Sequence, residues 1–103
     1  MQKIKVRTLY FPPSPSPDVT GYKIYWCPEA EDLTFDSPNV DVGMKTHDFV
    51  IPPDLPWEDL DGNYKVAASA YDDVGNETMG ETVIVPFDFI APDAPGAPVV
   101  GVL

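Results

Sequence analysis

A chain of 103 residues with 17 acidic and 6 basic side chains has a formal net charge of −11, which argues against nucleic acid and anionic membrane surfaces, since both need clustered Lys and Arg. That length gives one domain with a modest core, and 13 prolines set between apolar runs oppose long helices in favour of short strands. No apolar run is long enough for a membrane span, and Met1-Gln2-Lys3-Ile4-Lys5-Val6-Arg7 breaks its apolar residues with charge, unlike a signal peptide.

In chain order, Ile4, Val6, Thr8 and Tyr10 alternate with Lys3, Lys5 and Arg7, predicting a first strand with an aliphatic inner face and a basic outer one. Residues 11–18 are too rich in proline for a ladder and read as a stiff, polyproline-like loop. On the next strand Tyr22, Ile24 and Trp26 point inward, with Lys23 and Tyr25 outside. Glu29-Ala30-Glu31-Asp32 is an acidic turn, and Phe35, Val40 and Val42 mark one or two short edge strands interrupted by Ser37-Pro38-Asn39. Residues 46–51 form a strand with His47, Phe49 and Ile51 on one face. The crossing that follows draws its core plug from Leu55, Trp57 or Leu60, with Trp57 as the lid.

The clearest strand is central. Tyr64, Val66, Ala68 and Ala70 share one face and Lys65, Ala67, Ser69 and Tyr71 the other, between reversals at Gly62-Asn63 and Asp72-Asp73-Val74-Gly75-Asn76. Its small inward residues leave room for large partners. Tyr25 and Tyr71, both outward, make a contact surface on this sheet. Residues 81–87 form the last strand, with Thr82, Ile84 and Pro86 opposed to Val83, Val85 and Phe87.

Chemistry-bearing patterns are sparse. Cys27 is the single cysteine, so it has no intramolecular disulfide partner. His47 is the single histidine and reads as a packed or surface imidazole. Asp59-Leu60-Asp61-Gly62-Asn63 departs from a calcium loop because its glycine comes too early and Ala70 stands where a glutamate is needed. Asn76-Glu77-Thr78 has the form of a glycosylation acceptor. With no nucleophile–base pair, metal-ligand set or phosphate loop, the expectation is a binding or building domain with no enzymatic activity, cofactor or metal.

Two stretches carry a family resemblance. Tyr64-x-Val66-x-Ala68-x-Ala70 followed by Asp72-x-x-Gly75-Asn76-Glu77 resembles the sixth strand and last loop of a fibronectin type III domain, and Gly21-Tyr22-Lys23-Ile24-Tyr25-Trp26 resembles its third strand. Tyr10-Phe11-Pro12-Pro13 is similar to the end of the second, with Tyr10 where the family usually has Trp. The resemblance implies an all-β, immunoglobulin-like antiparallel sandwich of seven strands. It makes Tyr64 the tyrosine corner, a hydroxyl bonded to backbone upstream, and suggests an extracellular or cell-surface setting.

On that alignment the family's first strand is missing ahead of residue 4, while residues 92–103 look like a linker and first strand. The sandwich body is therefore read as residues 1–88 and the tail as residues 89–103. Three explanations compete: excision from a longer array, a tail folded back as a permuted first strand, and a tail filling the vacant edge of the next molecule. Folding back is taut, since residues 88–95 span roughly 28 Å at full extension. Donation joins two exposed apolar surfaces, tail residues Val99, Val100, Val102 and Leu103 with the acceptor edge Ile4, Val6, Thr8 and Tyr10. The leading functional reading is a self-assembling head-to-tail subunit, a homo-oligomer or polymer. The alternative is an adhesive or spacer module that binds other surface proteins or carbohydrate.

Overall fold

The computed structural model describes residues 7–51, 54–57, 59–88 and 93–101. Seven strands follow in chain order: β1 (Arg7–Leu9), β2 (Gly21–Pro28), β3 (Asn39–Gly43), β4 (Phe49–Ile51), β5 (Asp61–Tyr71), β6 (Glu77–Met79) and β7 (Val83–Asp88). All pairings are antiparallel. One sheet has five strands, with β3, β2 and β5 in order and β6 and β7 both on the far edge of β5, and the second is the pair β1–β4. The protein is all-β, with no helix among the described residues.

β5 organises the larger sheet as its alternation predicts, but it begins earlier. Gly62-Asn63 is not a reversal: Asp61, Gly62 and Asn63 pair with Asp88, Phe87 and Pro86, and Gly62 accommodates a φ of 98° within the strand. Ahead of the strand, the Leu60 amide donates instead to the Trp57 carbonyl at 3.0 Å. The second reversal lies where expected. Asp72 Oδ1 accepts from the Val74 and Asn76 amides at 3.0 and 2.9 Å, and Gly75 takes a φ of 91°.

β6 is a strand that the period leaves unseen, since residues 77–79 read as loop. It pairs with Ser69, Ala70 and Tyr71, while β7 pairs with residues 61–66. Between them, residues 67 and 68 of β5 stand opposite residues 80–82, so the two short strands are one edge interrupted by an extra residue. This is a β-bulge. The Gly80 amide donates to the Ala68 carbonyl at 2.7 Å, and a Cβ on Gly80 would lie 2.9 Å from that oxygen. Pro86 sits within β7, tolerated because an edge strand needs donors on one side only.

Both sheets feed one apolar cluster. Ile24, Trp26, Val66 and Phe87 come from the larger sheet, Phe49 and Ile51 from β4, and Leu55 and Trp57 from the crossing segment. Leu55 and Trp57 are the plug, fully buried, with Leu60 only packed against it. Trp57 lies between Trp26 and Phe87, ring centroids 5.6 and 4.9 Å away, so it is a core residue rather than a lid. Burying Leu55, or an aliphatic side chain of its size, contributes about 1.5–3 kcal/mol.

Two expected faces are corrected. In β1 it is Leu9, and beyond the strand Phe11, that pack on the core, while Thr8 and Tyr10 face away, with Tyr10 78% exposed. The segment carries apolar residues in both phases, and a one-residue shift inverts every side chain. In β4 the ladder begins only at Phe49, because Asp48 has a φ of 64°; His47 is therefore exposed in the preceding loop, bonded to Asp48.

Candidate functional site

The β1–β4 pair has two outer edges, and they differ. Along β4 the Val50 amide donates to Asp54 Oδ2 at 2.7 Å, and the Val50 carbonyl accepts from the Asp54 amide at 2.8 Å. Lys45 holds the same carboxylate oxygen at 3.7 Å and sets its ammonium 4.9 Å from the Phe49 ring centroid. Asp54 therefore closes that edge. Along β1 no described residue pairs with the opposite edge. Asp54 was not singled out by sequence, where it is one acidic residue in a long crossing; only its proximity in space to Val50 reveals the cap.

Where the chain leaves β1, a groove of about 400 Å³ opens between it and the far edge of the larger sheet. Phe11 and Pro12 form one wall, Tyr22, Ala68 and Ala70 the floor, and Thr78 and Gly80 the other wall. The β5 residues of the floor are alanines, the small inward positions noted in the sequence, which leave this space unfilled. Phe11 is fixed by an edge contact to Tyr22 at 5.2 Å and a stacked contact to Phe49 at 6.2 Å. The Ser14 amide donates to the Tyr22 hydroxyl at 3.0 Å, which anchors the proline-rich loop over the sheet.

Residues 93–101 are exposed throughout and belong to no strand. Val99 and Val100 are 94% and 87% exposed. The Cα radius of gyration is 18.4 Å, against about 13 Å for a compact 100-residue domain. Ile4 and Val6 of the expected acceptor edge, and Val102 and Leu103 of the expected donor, lie outside the described residues. Thr8, Tyr10, Val99 and Val100 are thus the members of the two sets that the structure places: among the described residues Thr8 pairs with Val50 of β4 on one side only, and Val99 and Val100 belong to no strand.

On the opposite face of the larger sheet, the expected Tyr25–Tyr71 contact surface is corrected. Tyr25 is 1% exposed. The segment after β2 folds back over it, with the Phe35 ring 6.0 Å away, and Lys65 Nζ holds that segment by donating to the Glu31 carbonyl at 2.6 Å. Beneath it Tyr25 and Ser69 each donate a hydroxyl to Glu77 Oε2 at 2.5 Å, and Lys23 Nζ lies 3.8 Å from Oε1. Burial, then the Glu77 hydrogen bond and charge, push the Tyr25 phenol up to about 12. Tyr71 is half-buried at the rim, donating to Asp41 Oδ2 at 2.7 Å. Neither the burial of Tyr25 nor the role of Glu77 is visible in a strand period, because a loop produces the first and an unseen strand the second.

Tyr64 packs against Phe87, centroids 5.6 Å apart, and its hydroxyl has no hydrogen-bond partner among the described residues. The tyrosine hydroxyl bonded to backbone upstream is that of Tyr22. Cys27 is buried on β2 with its thiol 3.7 Å from the Glu31 carbonyl, and burial raises its pKa. Among the described residues, no three His, Cys, Asp or Glu side chains are grouped to hold a metal ion.

No family model, curated protein or solved structure matches this chain. Its functional reading therefore rests on its own geometry: a β4 edge capped by Asp54, a β1 edge that pairs with no described residue and lies beside an apolar groove, and an exposed apolar segment.

Proposed function

We propose that the chain is a non-enzymatic structural subunit, an immunoglobulin-like sandwich of fibronectin type III type that assembles head to tail by strand addition. The C-terminal segment of one copy lies beside β1 of the next, with its apolar side chains over the groove floor. The observation that carries this reading is the presence, in one molecule, of a β1 edge that pairs with no described residue, an alanine-floored groove beside it, and exposed Val99 and Val100. Each is an unfavourable feature alone. An unpaired edge invites association, and exposed branched aliphatics gain about 1.5–3 kcal/mol each when buried. Two or three such side chains plus ladder hydrogen bonds offset the ordering cost of association and leave a weak net affinity. The product is a filament or surface appendage.

Sedimentation over a range of concentrations tests it. The full chain should associate, and deletion of residues 92–103 should abolish association and lower solubility. A free peptide of that sequence should restore solubility. Val100→Asp should be nearly as damaging as the deletion if that side chain is buried, since its carboxylate would lose water without gaining a partner. A full chain that stays monomeric at every concentration overturns the proposal and leaves the adhesive or spacer module as the reading.

A further inference from the structure

The main-chain geometry assigns the hydrogen-bonding register of the acceptor edge, on the assembly reading above: we infer that, of the two edges of the β1–β4 pair, β1 accepts the strand, and that Thr8 and Tyr10 present the groups that bind it. Val50 fixes the register. Its amide and carbonyl are both taken by Asp54, so they point away from β1. Val50 is the register partner of Thr8. Directly opposed residues in an antiparallel pair either exchange both bonds or point both sets outward. Thr8 therefore turns its own N–H and C=O to the far side.

Arg7 and Leu9, opposite Ile51 and Phe49, are the bonded positions, and the Phe11 amide continues their series by donating to the Thr46 carbonyl at 3.0 Å. Tyr10, between Leu9 and Phe11, repeats the outward orientation of Thr8. The occupant is the tail of a second copy, because residues 93–101 are an exposed segment of this chain that pairs with no described residue, and the groove that receives its side chains begins at Phe11, directly after this edge. On the other side the Asp54 carboxylate and amide occupy the positions that an incoming strand would need, so β4 is closed to addition.

Three variants of the full chain and one measurement on the unaltered chain test the assignment. Tyr10→Pro removes the outward N–H and should weaken self-association about tenfold or more, whereas Tyr10→Ala, which keeps it, should change association by less than about threefold. Val50→Pro removes an N–H on the closed edge and should leave association within about twofold, with circular dichroism confirming the sheet in each variant. In the wild-type chain, hydrogen exchange at Thr8 and Tyr10 should slow on assembly while Val50 is unchanged. Full association of Tyr10→Pro, unchanged exchange at Thr8 and Tyr10 on assembly, or loss of association in Val50→Pro alone overturns the register while leaving head-to-tail assembly standing. A wild-type chain that never associates overturns the assembly reading itself, and the register with it.

Discussion

Tyr25 and Glu77, 52 residues apart in sequence, are joined by a 2.5 Å hydrogen bond from hydroxyl to carboxylate across the covered face of the larger sheet. With Ser69 and Lys23 this carboxylate ties β6 to β2 and β5. β6 has only three residues, and its Thr78 forms a wall of the groove on the other face. The polar network thus supports the apolar site from behind.

Removing the hydroxyl should be costly. Tyr25→Phe leaves a partly buried carboxylate with one donor fewer and should destabilise the fold by about 1–3 kcal/mol, read as a lowered urea midpoint. Because the folded phenol is raised from 10.0 to about 12, the unfolded chain releases its proton first as pH rises. The stability from this group is complete below pH 10 and is lost as pH rises toward 12. Tyr25→Phe should flatten that alkaline slope.

At acid pH the sign reverses. The Gly43 amide and the Tyr71 hydroxyl hold Asp41 below its ordinary 3.8, and the Asn76 side chain and amide do the same for Asp72. Their stabilisation is present above that value and is lost as pH falls further. The double variant Asp41→Asn, Asp72→Asn should show a shallower acid limb in a thermal melt, with faster amide exchange at Val74 and Asn76 if the turn depends on the charge.

Gly21 lies beneath Tyr71, and a Cβ there would stand 2.2 Å from the phenolic oxygen. Gly21→Ala should therefore swing the ring aside and break its bond to Asp41, a modest loss read as a slightly lowered melting temperature, because the phenol is the far end of a side chain at the rim. In a Tyr71→Ala background the same change should cost less than half as much, a coupling that a double-mutant cycle measures.

Trp57 fills the centre of the core while its indole N–H has no hydrogen-bond acceptor among the described residues. Trp57→Ala should cost about 3–5 kcal/mol through the cavity it leaves, seen as a large drop in melting temperature. Leu60→Ala, at the periphery, should cost less.

The parts of this fold legible in sequence were those where one strand face dominates or a turn has its own chemistry. β5 announced itself through alternation, β3 through Val40 and Val42, and the reversal after Tyr71 through Asp72, Gly75 and Asn76. β1 was legible as a strand but not in phase, because Leu9 and Phe11 compete with Thr8 and Tyr10 for the inner face. The groove's shape and the Asp54 cap depend on contacts between distant segments, which no local period encodes.

The burial of Cys27, at 2% exposure, has a practical consequence for association experiments. A thiol sealed on a strand and held protonated is a poor nucleophile, so native copies brought together at high concentration should not cross-link by oxidation. Covalent dimers on a non-reducing gel would then count molecules that had opened, and the rate at which an alkylating reagent labels this position becomes an internal clock for that opening, running independently of whether the copies associate.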